Sequence, residues 1–276
     1  MKAINEYGYD ESTKFQGTMP KIIELLGSVG SVENTDKIDT SIFSAKGKLN
    51  TTPLVSPNFV NPGENGDGST NVTNPDDISK GDGKKKMVND IALDSKSITI
   101  NGTVELNLNG NNITNTMVKP AGTANPAILV KSGSKLVISG NGKVDGGTGG
   151  DNSVMTIEPS AEVSIENGSY SVGGDADGYG NSCIYLQGPN SVLEVTGGEF
   201  RSLTDWKGQY YVLNSANSNK DNNTIIVKGG KFWDFDPSNA DIETPAKNYV
   251  PEGYKVTSET VDENGKVHTI YTVSKA

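Results

Sequence analysis

The chain shows a repeated alternation of apolar and polar positions from about residue 98 onward. Five segments each contain an apolar–x–apolar triplet, a step rich in glycine and asparagine, and one further apolar residue. The last residues of these triplets recur every 27–32 positions, at Leu108, Ile138, Ile165, Val195 and Val227. Because a strand alternates its side chains between two faces, each triplet directs two apolar side chains to one side of a sheet. The pattern therefore predicts a β protein built from structural repeats.

A second apolar pair precedes three of these triplets, ending eight residues before the triplet's last residue. The pairs are Ile98/Ile100, Ile128/Val130 and Met155/Ile157. Three short strands in each repeat are typical of a solenoid coil, in which like residues stack at the strand spacing of about 4.8 Å. We predict a right-handed parallel β-helix in which Ile138 and Ile165 are vertical neighbours. The competing fold is an antiparallel β-sandwich, although a sandwich does not require a constant offset.

The C-terminal part predicts two features that close the solenoid. The aromatic side chains of Phe232, Trp233 and Phe235 follow the last triplet and are expected to cover the end of the core. Asn264-Gly265 separates two alternating segments, and this dipeptide is a strong signal for a β-hairpin. We therefore predict a hairpin cap over residues 249–276, laid over the last coil.

The first 90 residues have a different composition. They are polar and rich in proline, and they contain one helix candidate, Pro20 to Leu26, followed by Gly27. Such a segment cannot bury a core of its own, so we expect an extended arm that a partner holds; a disordered leader is the alternative. The predicted domains are an anchor arm (1–60), a linker (61–88), the β-helix (89–248) and the hairpin cap (249–276). The anchoring side chains are expected to be Ile22, Ile23, Leu25 and Leu26.

Composition excludes several functional classes. The net charge is −10, which disfavours a phosphate-binding surface for nucleic acid. The single cysteine, Cys183, allows no intrachain disulfide, and we expect it to be a small packing residue. The sequence has no stretch of 18 apolar residues that would insert in a membrane. The N-terminus also lacks the pattern of a secretory signal, so synthesis is expected in a host cytoplasm.

Candidate catalytic residues lie in predicted turns. Glycoside hydrolysis needs two carboxyl groups across a cleft, and the candidates are Asp145, Asp175, Asp177, Glu199 and Asp205. Turns commonly carry acidic residues for local hydrogen bonding, and solvated turn residues are the simpler interpretation. The lone His268 and lone Cys183 make the common triads and a His/Cys zinc site improbable. We therefore expect no catalytic site, no cofactor and no metal.

Four apolar residues occupy positions that are predicted to face outward. They are Leu129, Val137, Tyr185 and Ile226. An apolar strip along one flank would favour packing of identical solenoids side by side. We expect a homotrimer, with a dimer as the next choice.

Two groups of segments resemble a known kind of virus protein. The coils Ser134-Lys-Leu-Val-Ile-Ser-Gly140 and Ala161-Glu-Val-Ser-Ile-Glu-Asn-Gly168 resemble β-helical fibre proteins of tailed phages. The ending, with Gly229-Gly-Lys-Phe232, Asn248 to Val256 and Tyr271-Thr-Val273, resembles capsid-attached head fibres, including those of phages of gut Bacteroidales. The resemblance covers about residues 98–276, and residues 1–90 match nothing.

The resemblance implies a non-catalytic, oligomeric virion protein on the capsid surface. In such head fibres the N-terminal region binds the capsid, so a capsid protein is the expected partner of residues 1–60. Host surface glycans are the expected ligands of the projecting part. The alternatives are a tailspike-like polysaccharide depolymerase and a bacterial surface adhesin.

Overall fold

The computed structural model describes residues 66–117, 125–148, 152–173, 181–205 and 207–276. The predicted anchor arm, its helix candidate and its four anchoring side chains lie outside these residues. The described part consists of β-strands and one short helix, α1 (Pro75–Ser79). Asn74 begins this helix because its side chain accepts a hydrogen bond from the Asp77 amide, and Pro75 occupies the first turn.

The strands form three sheets, which we name A, B and C. Sheet A contains, in spatial order, β1 (Thr70–Val72), β2 (Gly83–Met87), β5 (Thr103–Asn107), β8 (Lys135–Ser139), β11 (Glu162–Ile165), β14 (Val192–Val195) and β17 (Thr224–Val227). Sheet B contains β3 (Ile91–Leu93), β6 (Asn112–Asn115), β9 (Lys143–Asp145), β12 (Ser169–Val172), β15 (Glu199–Ser202), β18 (Gly230–Trp233), β20 (Lys266–Lys275) and β19 (Tyr254–Glu263). Sheet C contains β4 (Ile98–Ile100), β7 (Asn125–Val130), β10 (Asn152–Ile157), β13 (Ser182–Leu186) and β16 (Leu213–Ser215).

The chain visits sheets A, B and C in turn, and each strand pairs in parallel with its counterpart one coil later. Ile165 in β11 is the direct partner of Ile138 in β8. On sheet C, Ile128 pairs with both Ile98 and Met155. The parallel β-helix is therefore confirmed, and the sandwich alternative is wrong, because its strands would pair antiparallel.

The core is a set of stacked columns of like side chains. In the column of sheet B, Ile113 and Val144 are followed by Tyr170, Phe200 and Phe232, all fully buried. The three aromatic rings stack almost parallel, with centroids 5.0 and 5.1 Å apart. Gly198 lies two residues before Phe200 and has a φ of 100°. A Cβ at this position would lie 3.0 Å from the Gly168 carbonyl oxygen. Glycine is needed at this corner because the coils approach each other closely.

The first triplet has a different register from the predicted one. Val104 and Leu106, rather than Leu106 and Leu108, pair with Leu136 and Ile138. Leu108 is also fully buried, at the corner beyond β5. Three alternating apolar residues in a row fit two registers equally well, and only pairing with the next coil distinguishes between them.

The solenoid also begins earlier than residue 89. Strands β1 and β2 and helix α1 lie within the span 61–88 that was predicted to be a linker, so that prediction is wrong for residues 70–87. The strand β2 was missed because its sequence, Gly-Lys-Lys-Lys-Met, lacks an apolar alternation. Lys85 is the partner of Leu106 and is 8% exposed. Its ammonium group reaches the Lys80 carbonyl at 3.0 Å, so the buried charge has a polar contact.

Polar side chains cap the N-terminal end of the sheets. The Ser79 hydroxyl accepts a hydrogen bond from the Thr99 amide of β4 at 3.0 Å. Asp82 and Asp90 accept from the amides of Thr103 and Asn112 at 2.7 Å each. These side chains satisfy amide groups where a preceding strand is absent or too short to do so.

The C-terminal end is closed by three different contacts, one for each sheet. The predicted hairpin is confirmed: β19 and β20 are antiparallel around Asn264 and Gly265, and β20 pairs antiparallel with β18. The hairpin thus extends sheet B instead of lying over the last coil. On sheet A, the Val227 amide donates to the Tyr249 carbonyl at 2.8 Å. On sheet C, the Ser215 amide donates to the buried Glu243 carboxylate at 3.3 Å.

Candidate functional site at the C-terminal hairpin

A group of charged and aromatic side chains in mutual contact lies on the outer face of sheet B, beside the hairpin. Because Phe200 and Phe232 face the core, their strand neighbours Glu199, Arg201 and Trp233 face outward. The hairpin adds Glu263 and His268 to the same face. We call Glu199, Arg201, Trp233, Asp234, Glu263 and His268 the hairpin cluster.

Arg201 is the centre of the hairpin cluster. Its guanidinium donates to both carboxylate oxygens of Glu263, with 3.1 Å from Nη1 to Oε1. The guanidinium carbon also lies 4.2 Å from the centroid of the Trp233 ring, which is a cation–π contact. The hydrogen bond from Arg201 lowers the pKa of Glu263, and the bond to Glu263 raises the pKa of Arg201. A bidentate pair of this kind fixes the hairpin against β15.

His268 occupies the buried side of the hairpin cluster. The side chain is 4% exposed, and its Nδ1 lies 2.5 Å from Asp234 Oδ2. Its Nε2 lies 3.9 Å from Glu263 Oε2. The other oxygen of Asp234 accepts from the Thr269 amide at 2.8 Å, and the Trp233 ring meets the imidazole edge-on. These contacts orient the imidazole inside the protein surface, where a large substrate does not reach it.

Residues 203–205 and 207–212 border the hairpin cluster with partly exposed groups. The Lys266 ammonium lies 5.4 Å from the centroid of the Tyr210 ring, and its hydrogen bond with Tyr210 raises the pKa of Lys266. Asp205 accepts from the Gly208 amide at 2.9 Å. Leu203 is 45% exposed. Aromatic, acidic and amide groups side by side can contact a polar ligand such as a sugar.

The three candidate carboxylates within the described residues, Asp145, Glu199 and Asp205, each accept a hydrogen bond from a nearby group. Asp145 accepts from the Gly147 amide and lies 3.2 Å from Lys143. Glu199 accepts from the Trp233 indole at 2.6 Å, and Asp205 is held by Gly208. Asp175 and Asp177 lie outside the described residues.

Cys183 is fully buried on β13, as predicted for a packing residue, and its burial raises the pKa of the thiol. Within the described ranges, no three His, Cys, Asp or Glu side chains are arranged to hold a metal ion. The described part also contains no helix that is long and apolar enough to cross a membrane.

The four outward apolar residues do not form one strip. Leu129 and Tyr185 lie on sheet C, with Thr156 between them. Val137 and Ile226 lie on sheet A, with Ser164 and Glu194 between them. All four are half-buried. The prediction of a continuous apolar flank is wrong, because alternation assigns a side chain to the outside but does not bring two sheets onto one surface.

Sequence reasoning missed most of the hairpin cluster. Trp233 was expected to close the core. It directly follows Phe232, whose side chain faces the core, so the alternation of the strand directs the Trp233 side chain outward. The pairing of Arg201 with Glu263 joins residues 62 positions apart. A charged residue on a strand is usually solvated, so nothing local marks this pair. The Asn-Gly turn was the one local signal, and it predicts only that β20 pairs with β19, not that β20 lies beside β18.

The fold defines this chain as an all-β protein of the parallel β-helix class, with a hairpin-capped C-terminal end. Comparison with protein-family models, curated proteins and solved structures finds no match to the chain.

Proposed function

We propose that this protein is a structural fibre on the surface of a virus capsid, which projects from the particle and contacts host surface glycans. The N-terminal region, residues 1–60, binds a capsid protein in this proposal, and identical chains assemble as a trimer or a dimer. The resemblance of the coils and of the ending to phage head fibres led to this hypothesis.

The observation that carries the proposal is the uninterrupted interior of the solenoid. The column from Ile98 through Ile128 and Met155 to Ile184 is fully buried, and every member pairs with the next coil. A rod of this kind is stabilised by nearest-neighbour contacts along its whole length. Such a rod suits a protein that spans a distance.

The first experiment tests capsid attachment. Virus particles are assembled with the full chain or with a chain that lacks residues 1–60, and both are probed with an antibody against the solenoid. We expect the antibody to label only particles made with the full chain. The shortened chain should keep the strand signal of the full chain in circular dichroism, since the described core begins at residue 69. Equal labelling of both kinds of particle would contradict the proposal.

The alternative with a specific structural basis is a polysaccharide depolymerase, since Glu199, Asp205 and Glu263 lie near the half-buried aromatic side chains of Trp233 and Tyr210. Their carboxylate oxygens accept hydrogen bonds from the Trp233 indole, the Gly208 amide and the Arg201 guanidinium. This use of the oxygens within the protein weighs against a role in catalysis. Purified protein is incubated with host capsular polysaccharide, and reducing ends are measured. Release of reducing ends by the wild type, lost in Glu199→Gln, would favour the depolymerase over the fibre.

A further inference from the structure

The three sheets have six edge strands within the described residues, and one of these strands differs from the other five. The edge strands β1, β3, β4 and β16 have three residues each, and β17 has four. The sixth edge strand, β19, has ten residues. Proteins usually shorten, bulge or cover their edges, because a long regular edge pairs with another strand.

The strand β19 carries charged side chains, which are one of the usual protections, but within the described residues it is not short, bulged or covered. It contains no proline, and its pairing with β20 runs over ten consecutive residue pairs without a bulge. Within the described residues, sheet B ends at β19, so the strand has a neighbour on one side only. The short edges β16, β17 and β4, in contrast, are covered by Glu243, Tyr249 and Ser79.

The hydrogen-bond pattern shows which backbone groups are directed outward. The Ala276 amide donates to the Gly253 carbonyl, so residue 253 and every second residue after it point toward β20. The backbone groups of Val256, Ser258 and Thr260 therefore point away from the sheet. Any antiparallel partner of β19 has to place its own outward-pointing residues opposite these.

The side chains of β19 favour a second copy of the same strand. When two copies pair antiparallel with Thr257 on the two-fold axis, Lys255 of each copy faces Glu259 of the other. When Glu259 lies on the axis, Lys255 faces Glu263, which already binds Arg201. The two Glu259 side chains then face each other as like charges, which is destabilising. When Ser258 lies on the axis, Lys255 faces Val261 and loses its ion pair. Only the register centred on Thr257 pairs Lys255 with Glu259, and its Val256–Ser258 pairs match the outward backbone groups.

We propose that β19 is a dimerisation strand, which joins two copies of this protein end to end through a continuous sheet B with Thr257 on the two-fold axis. The interface is isologous, so it closes after two copies and leaves no free β19 edge. The first strands of the two solenoids lie at opposite ends of the joined sheet. This inference goes beyond the proposed function and selects the dimer over the trimer.

The test uses the full chain and light scattering after size exclusion at micromolar concentration. We expect the wild type to have twice the mass of the chain. Lys255→Glu and Glu259→Lys should each weaken dimerisation roughly 30-fold, because two attractive pairs become repulsive. The double variant Lys255→Glu/Glu259→Lys should restore the dimer. Glu166→Lys, an exposed change of the same size on the solenoid, should leave the dimer unchanged.

A cross-linking experiment tests the register independently. Thr257→Cys should form a disulfide between copies under oxidation, seen as a dimer on a non-reducing gel, because the two Thr257 residues form a non-hydrogen-bonded pair. Ser258→Cys should remain uncross-linked, since it faces Val256. Cys183 is fully buried and serves as an internal control. A monomeric or trimeric wild type, a dimer insensitive to Lys255→Glu, or equal cross-linking at both positions would overturn the proposal. Antibody labelling of particles reports separately on the capsid role.

Discussion

The stacked aromatic column shows how a single side chain contributes to a solenoid. Phe200 lies between Tyr170 and Phe232, and each neighbour belongs to a different coil. Tyr170 is buried, which raises the pKa of its hydroxyl, and that hydroxyl donates to the Asn167 carbonyl at 2.6 Å. The Tyr170 hydroxyl therefore has a hydrogen-bond partner. The rings of Phe200 and Phe232, which follow in the column, carry no polar group and need only apolar contacts.

We expect Phe200→Ala to lower the free energy of unfolding by about 3–5 kcal/mol, because it opens a cavity between two rings. Phe200→Leu, which keeps most of the volume, should lower it by less than about half of that. Chemical denaturation followed by tryptophan fluorescence measures both variants. Similar losses for Ala and Leu would show that ring stacking, and not volume, is the main contribution.

The C-terminal hairpin is held to the solenoid by polar contacts as well as by strand pairing. Arg201 binds Glu263 across the sheet, and Asp234 binds both the Thr269 amide and the His268 ring. Ile270 and Val273 are buried where the hairpin meets sheet B. The hairpin is therefore an integral strand pair, and its docking depends partly on ionised carboxylates.

The Arg201–Glu263 pair predicts a pH dependence of stability. The pKa of Glu263 is lowered in the folded protein by the hydrogen bond from Arg201, so its contribution is present above the ordinary value of 4.5 and is lost as the pH falls through the folded pKa. We expect Arg201→Gln to lower the melting temperature at pH 7 and to have a smaller effect at pH 3. Arg201→Lys, which keeps the charge without the two-point bond, should be intermediate. An equal loss at both pH values would show that contact with Trp233 dominates.

The protein as described depends on closing both ends of a one-dimensional stack. Each coil contacts only the coils before and after it, so the last coil needs a substitute neighbour. At the C-terminus this substitute consists of β20, the Tyr249 carbonyl and the Glu243 carboxylate, with Phe235 and Ala240 buried among them. One carboxylate oxygen of Glu243 has no partner, which makes this cap the least satisfied part of the closure.

Removal of residues 253–276 tests the importance of this closure. The truncated chain exposes the backbone edge of β18 together with Phe232, and we expect it to form aggregates that light scattering detects at micromolar concentration. The full chain with Gly265→Ala, whose positive φ of 82° disfavours alanine, should be weakened at the turn but remain soluble. A soluble, folded truncated chain would show that the 234–252 segment closes the core alone.

Local alternation along the chain was enough to predict the repeat, the inward columns and the hairpin. Ile138 and Ile165 could be placed one above the other because both lie at the same step of a repeated pattern. The Asn264–Gly265 turn could be found because its backbone conformation is encoded by two adjacent residues. Each of these features depends on short-range order, which a sequence displays directly.

Long-range contacts decided the rest. The register of Leu106, the early start at Thr70 and the pairing of Arg201 with Glu263 each depend on residues that are distant in sequence. Alternation states whether a side chain faces inward or outward, but it does not state which outward side chains share a surface. Leu129 and Val137 therefore lie on different sheets, whereas Arg201 and Glu263 meet, because only the coiling of the chain sets the distances between them.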